Sequence, residues 1–339
     1  MKSFVTSISP DGDLILAHTL KEAGLDCGDL VSVDLGQRTI ENIEVLSGYY
    51  CHKDEVILLA RPSQKMQLTI RAGDFAKKYR VQINQEISFS LLEKGKAREK
   101  ENAYSFPELK NPTDFCSIES FANFREIKFK GIKNRTLYRS ASPFDNMFGR
   151  AEAVATCALK EKIRTVLDFA DSAEELKQLC NEMPPSSRML YESTRIIAIG
   201  NDTGFHSAEF HRQLINGFSR LANSEPPFLF HCRAGKRRSG FGIMLLTAML
   251  GATAEEITVD YMISYRNNNA VTRESNAARY DYLVRDIVNK MLLEITGGKS
   301  FLEQSILQHS ATDFLLKNGM AITDIKTLTK LLSSHNIII

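Results

Sequence analysis

The sequence predicts a small all-β, barrel-like domain followed by an α/β domain whose central, mostly parallel sheet is flanked by helices. Three observations carry this reading. The 339 residues exceed one average domain and leave enough chain for two cores. Residues 1–92 read mostly as short β-rich stretches separated by turn residues, the pattern of a small barrel or sandwich. From about residue 116 buried-strand runs alternate with helical periods, which implies a parallel sheet with helical crossovers.

In the first part, "DLVSVDL", "EVILLARP", "MQLTIRAG" and "VQINQEISFSLL" are the strand candidates. "LAHTLKEAGL" has a helical period and a stop at Gly24, so it is expected to form a helix. "EKGKAREKEN" (93–102) mixes charges without an apolar face and predicts a solvated linker or a frayed helix end. The domains are therefore expected at 1–92 and 116–339, with a charged linker over 93–115. In the second domain, "IRTVLDFA" (163–170) and "PFLFHC" (227–232) read as buried strands. "SAEFHRQLINGFSRLAN" (207–223) and "GFGIMLLTAMLG" (240–251) read as helices, and "AARYDYLVRDIVNKMLLEI" is the longest amphipathic candidate in a helical C-terminal part.

A formal net charge of +2 argues against a nucleic-acid binder driven by bulk charge, so any strongly basic site must be local. The six cysteines are scattered and contain no C-x-x-C pair, which indicates neither a zinc site nor a redox dithiol. Reduced thiols are expected in a chain this long. The N-terminus carries no secretory apolar core, and no apolar run is long enough to cross a bilayer. A cytoplasmic protein is expected, with no metal, organic cofactor, nucleic-acid partner or integral membrane segment. The oligomeric state is not legible.

The stretch "FLFHCRAGKRRSGFGIM" (228–244) concentrates the chemistry. A buried strand ends in His231-Cys232, a short turn carries Arg233, Lys236, Arg237 and Arg238, and a helix is expected from about Ser239. A turn entering a helix is an anion site, because unsatisfied N–H groups and the positive end of the dipole converge there. Gly235 lets the amides of Ala234, Gly235 and their neighbours curl into a concave nest. A thiol beside that nest and several cations has its thiolate favoured, and the thiolate is the nucleophile. Arg238 offers a planar fork matched to two phosphate oxygens. Nucleophile, oxyanion cradle and clamp therefore share one loop, which is what phosphoryl transfer needs. Ser239 is a candidate donor to the sulfur or, equally, a helix N-cap. His231 is a candidate support for the loop through hydrogen bonding. A Walker loop is excluded: Phe230 stands where its first glycine belongs and Arg237 where its Ser or Thr belongs.

"HCRAGKRRSG" is similar to the H-C-x5-R-[ST]-G signature of the cysteine-dependent protein tyrosine phosphatase superfamily. "SFANFREI" (120–127), "LYRSASPF" (137–144) and "VDYMISYRN" (259–267) resemble elements of its atypical bacterial, lipid-phosphatase-like branch, so the resemblance covers roughly 116–339. It implies a phosphatase acting through a phosphocysteine, with Cys232 as nucleophile, Arg238 as clamp and Arg233, Ala234, Gly235, Lys236 and Arg237 around the phosphate. The implied substrates are phosphotyrosine proteins or phosphoinositides and inositol phosphates. The lysine after the loop glycine and the extra cations favour the polyphosphorylated ones. The acid that protonates the leaving group is expected on a mobile loop, and Asp202, thirty residues before Cys232 between Gly200 and Gly204, is the first choice. A plain turn aspartate is the alternative there, with Asp168, Asp171 and Glu209 as further candidates. Some members of the branch carry an aspartate where this chain has Arg237. That departure keeps a rival in play, a catalytically inactive phosphate-binding module that recruits phosphorylated partners. An arsenate reductase is disfavoured because no second cysteine lies near the first. In the first domain, "GDFAKKY" (73–79) resembles the small β-barrel of S-adenosylmethionine hydroxide adenosyltransferases, whose catalytic domain has no counterpart here.

Overall fold

The computed structural model describes residues 1–49, 51, 54–60, 64–71, 73–104, 109, 111–146, 149–200, 205 and 207–334. The chain divides into two compact units, Met1–Pro107 and Glu108–Ile339.

The first unit is a closed barrel of seven strands: β1 (Lys2–Ile8), β2 (Leu14–Thr19), β3 (Leu30–Asp34), β4 (Thr39–Leu46), β5 (Val56–Leu59), β6 (Lys65–Ile70) and β7 (Glu86–Glu93). They run in the order β1-β2-β6-β5-β4-β3-β7, and β1 pairs with β7 to close the ring. Closure leaves no unpaired edge. Alternating residues such as Val5, Leu14, Leu16, Val31, Val33 and Ile87 fill the interior. In the "GDFAKKY" stretch, the Asp74 side chain accepts from the Lys77 N–H and caps α1 (Phe75–Tyr79). Phe75 is buried in the barrel core and lies against the Tyr79 ring.

Two expectations change here. The helix expected over "LAHTLKEAGL" is instead the end of β2 followed by a turn that reaches Gly24 at φ +64°. Leu14 and Leu16 both point into the barrel, and that period of two overrides the helical spacing of the leucines further on. The solvated linker expected from residue 93 is also partly structured. It contains α2 (Arg98–Tyr104), Ala97 is buried, and buried Glu101 accepts hydrogen bonds from the Ser47 backbone N–H and hydroxyl. The segment folds with the barrel because that carboxylate needs its partners.

The second unit is built on β8 (Arg125–Glu126), β9 (Leu137–Ser140), β10 (Thr165–Asp168), β11 (Arg195–Ala198) and β12 (Phe228–His231), ordered β11-β10-β12-β9-β8. All pairs are parallel except the β8–β9 edge. Before, between and after the strands lie α3 (Ile118–Phe121), α4 (Ala151–Lys160), α5 (Ala173–Leu179), α6 (Pro185–Ser193), α7 (Ala208–Ala222), α8 (Arg238–Met249) and α9 (Ala254–Asn269). The C-terminal helices are α10 (Ala277–Leu283), α11 (Asn289–Thr296), α12 (Gln304–Lys317) and α13 (Ile322–Leu332). The single long helix expected over 277–295 is interrupted by a π-helical turn, Val284–Val288.

Strand β12 enters last, between β9 and β10, so strand order reverses at the centre of the sheet. Ligands of open α/β sheets bind beyond the carboxyl ends of the strands at such a point. Register brings Ser140, Asp168 and His231 side by side at that end. Helix α8 leaves directly from the same place and is buried from Ser239 to Met249, which explains its unbroken apolar sequence. Gly240 and Gly242 allow that burial: an added Cβ would lie 2.5 Å from the Tyr261 ring and 2.7 Å from the Phe169 ring respectively.

Candidate active site

Residues 232–237 connect β12 to α8, and each loop carbonyl accepts from a named donor. Cys232 O accepts from Gly235 N–H at 3.0 Å, Arg233 O from Ser142 N–H at 3.1 Å, and Arg237 O from Phe241 N–H at 2.9 Å. Ala234 O takes the Nδ2 groups of Asn123 and Asn268 at 3.1 and 3.3 Å. Gly235 O takes Asn123 Nδ2, Arg139 Nη2 and Ser264 Oγ at 3.2, 2.9 and 3.2 Å, and Lys236 O takes Arg139 Nη2 at 3.1 Å. The carbonyls of Arg233, Ala234, Gly235 and Lys236 are thus taken by donors from outside the loop. The N–H groups of Lys236 and Ser239 point at the Cys232 sulfur.

Gly235 is the pivot. Its φ is +65°, and a Cβ there would fall inside contact distance of the Ser140 carbonyl and 2.8 Å from Asn123 Nδ2. Asn123, Arg139 and Ser264 are themselves fixed by one ion-pair network. Asp260 binds Arg125 Nε at 2.7 Å and Arg139 Nη1 at 2.6 Å, while Arg125 Nη1 donates to Asn123 Oδ1 at 2.9 Å. Burial alone would raise the Asp260 carboxyl, but the two guanidinium groups hold it below its ordinary value.

The thiol of Cys232 is buried at 5% exposure, and burial by itself pushes it up. The Arg238 charge, the Ser239 hydroxyl 3.4 Å from Sγ and the two backbone N–H groups outweigh that and hold it below the ordinary thiol value. Arg238 Nη1 is buried with no hydrogen-bond partner among the described residues. A buried donor left in that condition is costly, and an anion oxygen would satisfy it.

His231 is fully buried, and burial followed by the nearby Arg238 charge lowers its pKa to about 3, so the imidazole is neutral. Neither ring nitrogen makes a hydrogen bond among the described residues, although Nε2 lies 3.5 Å from Asp168 Oδ1. The ring packs edge-on against Phe144, so any support it gives the loop is by packing rather than by the hydrogen bond expected. Three of the four loop cations have protein partners. Arg233 Nε lies 3.3 Å from Asp145, Lys236 Nζ donates to Asn269 Oδ1 at 3.0 Å above the Tyr265 ring, and Arg237 bonds the Tyr265 hydroxyl.

Asp202 lies outside the described residues. Glu209 is on the surface of α7, bonded to Arg212 and Gln213. Asp168 is fully buried and accepts from the N–H groups of Ala170 and Asp171, and burial raises it well above the ordinary carboxyl value. Asp171 is the informative one. It follows β10 beside the loop, is 3% exposed, and its Oδ2 has no hydrogen-bond partner among the described residues. Burial and the neighbouring Asp145 raise its pKa to about 6, against the opposing charges of Arg233 and Arg238.

A family model described as the tyrosine phosphatase family matches residues 116–333. A Cupriavidus necator protein provisionally named a tyrosine-protein phosphatase is 34% identical over 96 residues, a match covering 28% of this chain and 34% of that protein. The chain thus spans about a third of the length of that relative. A solved structure of an uncharacterized conserved protein from Thermotoga maritima matches 26% of this chain and 35% of its own, at 15% identity and a TM-score of 0.24, too slight a likeness to bear on the fold. Among the described residues no helix is long and apolar enough to cross a membrane.

Proposed function

Since the chain belongs to the tyrosine phosphatase family, we propose that it hydrolyses phosphate monoesters by way of a phosphocysteine on Cys232. The observation that carries this is the buried Arg238 nitrogen, without a hydrogen-bond partner among the described residues, beside a thiol held below its ordinary value. The Cys232 thiolate attacks phosphorus while Arg238 and the loop amides hold the equatorial oxygens. The bond to the leaving oxygen breaks, and that oxygen takes a proton from Asp171, which replaces Asp202 as our assignment of the acid. A water then attacks phosphorus and gives its proton to the Asp171 carboxylate. The P–S bond breaks, and the Ser239 hydroxyl stabilises the departing thiolate.

We assign monophosphates, phosphotyrosine foremost, over polyphosphorylated inositol substrates. Arg233, Lys236 and Arg237 are engaged with Asp145, Asn269 and Tyr265, which leaves Arg238 as the clamp for one phosphate. The likeness of the first unit to the small barrel of the adenosyltransferases rests on its sequence stretches, and no adenosyltransferase activity follows from it.

The test is hydrolysis of p-nitrophenyl phosphate in excess EDTA, with acid quenching and mass spectrometry of the Cys232 peptide. Metal-independent turnover with phosphate trapped on Cys232 is expected. Phosphate binding without turnover would replace this reading with the recruiting module.

The acid assignment makes its own prediction. Asp171→Asn is expected to lower kcat/KM about a hundredfold and to flatten a basic limb that otherwise falls near pH 6. Its stability should move the other way. A carboxyl whose folded pKa, about 6, exceeds the unfolded value of about 3.9 destabilises the fold once ionised. That destabilisation is absent below about pH 4 and complete above about pH 6. The variant should therefore melt higher than the parent at pH 8 and not at pH 4. Equal activity at every pH would remove Asp171 from the mechanism.

A further inference from the structure

Arg150 stands at the entrance to α4 yet caps nothing there; its side chain runs inward and is almost wholly buried. Nη1 donates to Asn268 Oδ1, and Nη2 donates to the Leu109 carbonyl at 2.6 Å. The guanidinium lies 5.4 Å from the ring centroids of both Phe115 and Phe121. Asn268 is buried as well. Its own carbonyl accepts from the Leu109 N–H at 2.9 Å, and its Nδ2 donates to Ser264 O at 2.7 Å and to the loop carbonyl of Ala234 at 3.3 Å.

A side-chain amide has two nearly isosteric ends, and its neighbours decide which way it faces. A guanidinium can only donate, so Arg150 compels the oxygen of Asn268 to face it. The nitrogen must then face Ala234. The Ser264 carbonyl orients the same nitrogen, so without Arg150 the amide keeps that hold, but its oxygen is left buried without its Arg150 donor, which loosens its grip on the Ala234 carbonyl.

We propose that Arg150 is a positioning residue that fixes the Asn268 amide and so ties the shape of the phosphate loop to the segment of Leu109, Phe115 and Phe121 at the start of the second unit. The inference rests on the proposed role of the loop as an oxyanion cradle. Loop geometry then depends on how that segment is seated, although no residue of the segment touches the loop in the hydrogen bonds above.

The experiment measures tungstate binding to the full chain by calorimetry, so that no turnover is needed. Arg150→Met and Asn268→Ala should each weaken tungstate about tenfold. The double variant should be no weaker than either single one, because both remove the same link. Arg150→Lys, which keeps the charge and one donor, should fall between parent and Arg150→Met, and it serves where the methionine variant does not fold. Parental affinity in the Arg150 variants, or losses that add in the double variant, would overturn the proposal while leaving the phosphatase reading intact. A parent chain that does not bind tungstate would overturn the cradle itself, and this inference with it.

Discussion

Cys232→Ser is expected to abolish turnover of an aryl phosphate, lowering kcat by at least about a thousandfold, since a neutral hydroxyl replaces the proposed nucleophile. The variant should still bind tungstate, and as tightly as the parent or more so. To the extent that the Cys232 sulfur is ionised it repels an incoming dianion, and serine removes that repulsion while leaving the loop donors in place. Calorimetry of both proteins at one pH checks this. Retained hydrolysis would show that the sulfur is not the attacking atom. Loss of hydrolysis together with loss of anion binding would show that the substitution had damaged the cradle instead.

Gly235→Ala should be nearly as severe for a different reason. At φ +65° an alanine is strained by about 1–2 kcal/mol. The larger effect is steric, because the new methyl would meet the Ser140 carbonyl and Asn123 Nδ2, and neither is the loose end of a flexible side chain. The loop must shift, and misplacement of about 1 Å at a reacting centre costs about a hundredfold in rate. Gly298→Ala provides the control. Its φ is +83° with nothing within 4 Å of an added Cβ, so it carries the strain without the clash. Gly298→Ala should lose a little stability and no activity, whereas Gly235→Ala should lose at least about a hundredfold in kcat/KM. Equal kcat/KM in Gly235→Ala and the parent would mean the loop tolerates a shift that the packing argues against.

The parts of this molecule legible in its sequence are those encoded locally. The apolar run before Cys232 is the central strand, Phe228–His231, and the apolar stretch after Arg238 is the helix Arg238–Met249. The loop between them was readable because its glycine, cations and thiol are contiguous. Its scaffold was not readable in the same way. Asn123 and Arg139 meet loop carbonyls from 96 to 112 positions away, and Ser264 and Asn268 meet them from another helix, and no periodicity marks a residue for that duty. The resemblance pointed to the stretches holding Asn123, Arg125, Arg139 and Asp260 but not to what those side chains touch. Asp171 was one of several carboxylates in the sequence, and only the fold brings it to burial beside Asp145, Arg233 and Arg238. In the first unit, local spacing misled at "LAHTLKEAGL", where burial of Leu14 and Leu16 in the barrel decides the outcome.

The donors that hold the loop carbonyls also bear on when the protein first becomes competent as it folds. Asn123 to Gly235, Arg125 to Asp260 and Asn267 to Asn123 close over sequence separations of 112, 135 and 144 residues. Contacts of that span form only after the intervening chain has been gathered in, because loop closure must precede them. Binding of an anion to the loop is therefore expected to be a late event of folding, after α9 has docked, even in a chain that already carries the whole "HCRAGKRRSG" stretch.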